Sequence, residues 1–213
     1  MTTKLHCFGE SGHSYKAALT LELMGLEWEP VFVDFFNGEA RSNAYRSDYN
    51  PMGEAPVMVD GDTTLSQSAV IQQYLVEKTG QFGGETKDDA REILRWQFWD
   101  NHKLSSQLGV IRFLMNYVPE EKRPEQALGF LQGRADAALQ VLETHLTERD
   151  WIVGRTVTVA DLTCCGYLYY PEPFGFSRDA YPAIDRWLSN IQSLDGWKHP
   201  YDLMPRAWGE EDK

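Results

Sequence analysis

Gly9-Glu10-Ser11-Gly12-His13-Ser14 follows a short apolar run and brings hydroxyl and imidazole groups together in one loop. Either group can donate a hydrogen bond to an anion. Gln67-Ser68 opens a second stretch of interest, because Val70, Ile71, Tyr74 and Leu75 follow at helical spacing. A helix N-terminus carries unpaired N–H groups and about half a positive charge, and two polar side chains placed there make a seat for a carboxylate. Hydroxyl and amide side chains are also the ordinary caps of helices, and Ser66 or Ser68 is the expected N-cap. Trp99, His102, Lys103, Ser106 and Phe113 form a third group on one long helical pattern, where an aromatic stripe is more often core than binding surface.

Composition limits what these groups can act on. The chain has 213 residues, 42% of them hydrophobic, enough for the core of one or two domains. A net charge of −12 leaves no basic face for nucleic acid, so an anionic ligand must be held by local dipoles and a few side chains. Cys7, Cys164 and Cys165 have neither metal-ligand spacing nor a disulfide pattern, and buried thiols are expected; no metal is predicted. No apolar run approaches the roughly 20 residues that span a bilayer, and Met1-Thr2-Thr3-Lys4 lacks a signal-peptide layout. A cytoplasmic protein with no membrane partner is therefore expected.

The elements that must position the polar groups can be taken in order. Leu5 to Phe8 reads as a strand, the loop above leads into a helix ending at Gly25, and Glu27 to Val33 alternates as a second strand. A polar stretch from Asn37 to Asn50 precedes Pro51-Met52-Gly53. Val57 to Leu65 is a hairpin turning on Asp60-Gly61-Asp62, and it feeds the helix at Ser68. This β-α-β, α, β-β-α order closes at residue 79, residues 80–86 are a glycine-rich linker, and residues 87–213 form an all-α domain. That second part holds a helix from Asp88 to Tyr117, another from Pro124 to Arg149, and a third from Pro182 to Ser193. Thr158 and Asp161 form a capping-box variant between them. The proline- and aromatic-rich tail from Gly196 is expected to pack across the helical domain.

Glu54-Ala55-Pro56 before a strand, then the hairpin, then Gln67-Ser68 opening an amphipathic helix, resembles the glutathione-binding half of the thioredoxin-like domain in the cytosolic glutathione S-transferase family. Trp151 to Asp161 is similar to the buried capping motif of that family's α-domain, a structural role that keeps Thr158 and Asp161 out of the site. The resemblance covers nearly the whole chain. It implies an α/β thioredoxin-like N-terminal domain followed by an all-α C-terminal helical domain, and a homodimer. It further implies a cis Ala55–Pro56 bond, Ala55 pairing its backbone with the cysteinyl part of glutathione, and Gln67 and Ser68 holding the γ-glutamyl carboxylate. Glu54 stands where many members carry Gln or Lys for an anionic part of glutathione. A carboxylate cannot do that, so Glu54 is not assigned to binding.

A free thiol has a pKa of about 8.5, and the thiolate is the nucleophile, so such an enzyme must ionise its co-substrate. The resemblance places the activating group between Cys7 and Ser14. Cys7 takes the tyrosine position, which sets a tyrosine mechanism aside. Counted back from Gly25, Ser11 falls where serine-type members, zeta-like ones especially, carry their hydroxyl, and His13 falls where bacterial cysteine-type members carry Cys. Ser11 is the first choice, Ser14 the second and His13 the third; Ser14 is otherwise a helix cap and His13 a solvent-facing loop residue. The acceptor pocket implied by the resemblance draws on Trp99, His102, Lys103 and Ser106. The expected function is transfer of glutathione's sulfur to an electrophilic small molecule by a bacterial-type or zeta-like enzyme. The alternatives are a zeta-like glutathione-dependent isomerase and a non-catalytic interaction module of the same fold. A thioredoxin-type redox protein is disfavoured, since no Cys-x-x-Cys precedes the first helix.

Overall fold

The computed structural model describes residues 2–207, which form two compact units: 2–81 together with 195–207, and 82–194. Residue 1 and residues 208–213 of the expected domains lie outside the described residues.

The first unit is built on a four-stranded sheet of order β2-β1-β3-β4, with β1 Thr3–Cys7, β2 Trp28–Phe32, β3 Val57–Asp60 and β4 Thr63–Ser66. β1 is central, and its Leu5 and Cys7 are fully buried. β1 and β2 run parallel, which demands a crossover, and α1 (Gly12–Leu23) supplies it. Pro30 sits in β2, an edge strand, where its missing N–H leaves no inner ladder bond unmade. β3 and β4 pair antiparallel with Asp60 opposite Thr63, and Gly61 at φ +61° provides the left-handed residue of the two-residue turn. A short helix α2 (Asn43–Asp48) precedes β3, and α3 (Ser68–Thr79) follows β4. α3 lies on α1 through a buried polar contact: the Gln72 amide donates to the Lys16 carbonyl (3.3 Å) and to Thr20 Oγ1 (3.1 Å).

The tail belongs to this unit rather than to the helical one. Its short helix α9 (Pro200–Leu203) packs on α1, and Tyr15 Oη donates to the Lys198 carbonyl at 2.8 Å. The proline and aromatic content read correctly as the end of regular helix. The destination was illegible, because it depends on partners far away in sequence.

The second unit is all helical: α4 Lys87–Trp99, α5 Ser105–Tyr117, α6 Glu125–Leu146, α7 Val159–Cys164 and α8 Pro182–Gln192. The single helix expected from Asp88 to Tyr117 is interrupted by a π turn at Asp100–Leu104. Asp100 is fully buried there and accepts Ser105 Oγ at 2.8 Å. An inserted residue leaves the apolar period almost undisturbed on either side, which is why the pattern reads as continuous. The predicted capping box is present: Thr158 opens α7, and Asp161 closes it back on the Thr158 N–H at 2.8 Å. Among the described residues, no helix is long and apolar enough to cross a membrane.

Candidate active site

The end of β1 delivers the chain to Ser11, which is the N-cap of α1. Its backbone is extended (φ −92°, ψ 110°), and its Oγ accepts the Ser14 N–H at 3.1 Å. The helix therefore starts three residues earlier than a Ser14 cap would place it. His13 falls in the first turn and is only half-buried by its own surface. It is not the solvent-facing loop residue expected. Burial, with the Lys16 charge beside it, pushes the imidazole down to about 3, so the ring is neutral at physiological pH. Ser14 is fully buried, and its Oγ finds no partner among the described residues. Cys7, at the end of β1, has no surface exposure, and burial pushes its thiol up to about 12. A thiol in that state is inert.

The capping hydrogen bond uses a lone pair of Ser11 Oγ and leaves its O–H as a donor. Capping and thiol activation are thus compatible at Ser11. Ser14, with no exposed surface, is the poorer donor to any ligand.

The second part of the site is the turn between β4 and α3. The N-cap is Gln67, not Ser66 or Ser68, and its backbone is left-handed at φ 69°, ψ 114°. A non-glycine residue held there costs about 1–3 kcal/mol and persists only where the surroundings impose it. Gln67 makes no side-chain cap, and the first turn of α3 has no acidic residue. Its exposed side chain turns outward, with Nε2 donating to Glu54 Oε2 at 2.8 Å. Ser68 follows as the first helical residue and is 8% exposed. The α3 amides are thus left without a side-chain acceptor beside two polar side chains.

Ala55–Pro56 is cis, and Pro56 leads directly into β3. The approach to it is held by Asn50, which sequence reasoning passed over. Asn50 is almost fully buried; its Nδ2 donates to the Glu54 carbonyl at 2.9 Å and its Oδ1 accepts the Met52 N–H at 3.0 Å. Tyr45 Oη reaches the same Glu54 carbonyl at 3.3 Å. An Asn directly before Pro51-Met52-Gly53 is a turn signal, and that was the available hint. Glu54 itself, set aside from binding, is placed by its contact with Gln67.

Two known family models match the chain in register with these elements: glutathione S-transferase, N-terminal domain, over residues 1–77, and glutathione S-transferase, C-terminal domain, over residues 110–195. A glutathione S-transferase of Arabidopsis thaliana is 30% identical, the alignment covering 94% of this chain and 86% of that one. The chain belongs to the glutathione S-transferase family. A crystal structure of a glutathione S-transferase from Pseudomonas fluorescens superposes with a TM-score of 0.88 at 30% identity, covering 95% of this chain and all of that one. Maleylacetoacetate isomerase of Pseudomonas aeruginosa is also 30% identical, over 86% of this chain and 88% of its own. The transferase's fold is the expected thioredoxin-like unit followed by helices.

The remaining expected residues lie in the helical unit. Trp99 ends α4 half-buried, its ring 5.0 Å from that of Trp96 in an edge-on contact. His102 and Lys103 are exposed on the π turn, and Ser106 Oγ donates back to the His102 carbonyl at 2.8 Å. π turns recur at functional sites, a signal that period-counting cannot see. The tail aromatics Trp197 and Tyr201 fall in the first unit.

Proposed function

We propose that this transferase binds glutathione with its γ-glutamyl carboxylate on the open N-terminus of α3, held by Gln67, Ser68 and the first amides of the helix, and with its cysteinyl backbone against Ala55, beside Pro56. The observation that carries this is the strained Gln67 cap: a helix start with no side-chain acceptor, at a residue whose backbone conformation is costly. An anion there gains the helix dipole and the unpaired N–H groups together.

The thiol then lies toward the start of α1. Ser11 donates its O–H to the sulfur, the α1 N-terminus adds its partial positive charge, and both favour the thiolate over the thiol. The thiolate attacks an electrophilic carbon of the acceptor. Where the carbon bears a leaving group, that group departs with the displaced electron pair; where it is an activated double bond, the pair moves to the adjacent atom, which takes up a proton. Trp99, His102, Lys103 and Ser106 are assigned to the acceptor. The isomerase reading uses the same site, with the thiol adding and leaving again, and the 30% identity to a maleylacetoacetate isomerase favours it as the second reading. Its test is turnover of a cis-alkene diketo acid without net consumption of glutathione.

We place the enzyme in the cytoplasm as a homodimer. The three cysteines are all buried thiols, as suits a reducing compartment. Leu94 and Phe98 are exposed four residues apart on α4, an apolar pair suited to a second copy. Sedimentation would give twice the chain mass.

Calorimetric titration with glutathione tests the site. Binding should weaken at least tenfold in Ser68→Ala, a loss of about 1.4 kcal/mol, and the ultraviolet absorbance of the bound thiolate should disappear in Ser11→Ala. Absence of binding at millimolar glutathione would refute the assignment and leave the non-catalytic module.

A further inference from the structure

The segment just before Ser11 is held by the tail. Gly9 N–H donates to the Pro205 carbonyl at 2.6 Å, and a Cβ at Gly9 would lie 3.0 Å from Arg206 Cγ and 3.2 Å from that carbonyl. The Glu10 carboxylate, 4% exposed, takes the Ala207 N–H on both oxygens, at 3.2 and 3.1 Å. Arg206 Nε stands 3.9 Å from Glu10 Oε1, and its guanidinium lies over the Tyr201 ring at 3.9 Å. Further along, Tyr15 holds the Lys198 carbonyl, and the Lys198 ammonium meets Glu22 at 2.6 Å.

This arrangement poses an electrostatic problem. A buried carboxylate adjoins the residue proposed to stabilise a thiolate, and like charges oppose ionisation. On α1 itself the turn is followed by His13, which is neutral, and Lys16, a buried cation one turn along. We propose that Glu10 and Arg206 are a positioning pair: Glu10 clamps the Ser11 turn to the tail, and Arg206 offsets its charge so that the glutathione thiolate can form beside it. This rests on the reading of the Ser11 turn as the thiol-activating element.

The experiment is a pH titration of the thiolate absorbance of bound glutathione in the full-length chain, for wild type, Arg206→Ala, Glu10→Gln and the double variant. Arg206→Ala should raise the apparent thiol pKa by about one unit, a tenfold loss of thiolate below that pKa, with kcat falling and KM for glutathione nearly unchanged. Adding Glu10→Gln to Arg206→Ala should bring the pKa back down, because the like charge beside the thiolate is gone. Arg206→Met keeps an apolar stem over Tyr201, and should reproduce the shift if Arg206→Ala folds poorly. A double variant worse than Arg206→Ala, or a pKa that Arg206→Ala and Arg206→Met both leave in place, overturns the pair and leaves the Ser11 reading standing. Wild-type protein that binds glutathione without lowering its thiol pKa overturns both.

Discussion

Asp161 gathers four donors in the buried centre of the helical unit, and removing them in stages makes a quantitative test. Oδ1 accepts Ile152 N–H (2.8 Å) and Trp187 Nε1–H (2.9 Å), and Oδ2 accepts Thr158 N–H (2.8 Å) and the Thr158 hydroxyl (3.1 Å). In Asp161→Asn the carbonyl should face Ile152 and Trp187, which can only donate. The amide then faces Thr158, whose hydroxyl can rotate to accept it but whose N–H cannot. The Thr158 N–H and the second amide hydrogen that faces it are left unpaired, each costing about 1–3 kcal/mol. Asp161→Ala strands all four donors and opens the space of a carboxylate, so its cost should exceed about 4 kcal/mol, in the range reserved for broken buried networks. Urea unfolding followed by circular dichroism at neutral pH measures both. A pH dependence adds a second check. Burial pushes the Asp161 carboxyl up to about 6 against its donors, above its unfolded value of about 3.9. The folded state therefore holds the proton more tightly, and stability falls as pH rises from about 4 to about 6. Asp161→Asn should lose that slope. An alanine variant within about 1 kcal/mol of wild type would refute the account of the network.

Three further outcomes follow from single contacts. Glu143 on α6 accepts the Ala183 and Ile184 N–H groups, each at 2.9 Å, and so caps α8 from another helix; Glu143→Ala should cost about 1–2 kcal/mol in the same unfolding assay. Gln67→Gly relieves the backbone strain, and so should be at least as stable as wild type by thermal unfolding while binding glutathione more weakly in calorimetry. Cys7, buried and pushed up to about 12, should resist a thiol reagent at neutral pH in native protein and react fully in denaturant, followed by mass spectrometry of the Cys7 peptide.

The sequence carried the local information well where the chemistry is local. The hairpin turn at Gly61, the helix end at Gly25 and the Thr158–Asp161 box are each specified within a few neighbours, and each is where composition puts it. Gln67 and Ser68 were placed correctly at the α3 start. That Gln67 and not a serine is the cap follows from a left-handed backbone that no residue type announces. At α1 the two candidate serines were assigned opposite roles from those they play as caps, because Ser11-Gly12-His13-Ser14 offers a capping hydroxyl at either end. The contacts that tie Glu10 to Ala207, Glu143 to α8 and Asn50 to Glu54 depend on tertiary placement, and a one-dimensional reading has no access to them.

Helix starts give the final comparison. Ser11 caps α1, Ser42 caps α2 by accepting Tyr45 N–H, Thr86 with Asp89 caps α4, Thr158 with Asp161 caps α7, and Glu143 serves α8. α6 has no side-chain cap, but its first turn is exposed to water and carries Glu125. α5 continues directly out of the π turn. Among the described helices, that leaves α3 with neither a capping side chain nor an acidic residue, next to a buried Ser68 and a strained Gln67. A chain that supplies acceptors so consistently elsewhere omits one where an external carboxylate would complete the helix. In the proposed binding mode the ligand is the missing cap. Glutathione at a hundred times its dissociation constant should stabilise the fold by about 2.7 kcal/mol, and the gain should shrink in Ser68→Ala in proportion to the lost affinity.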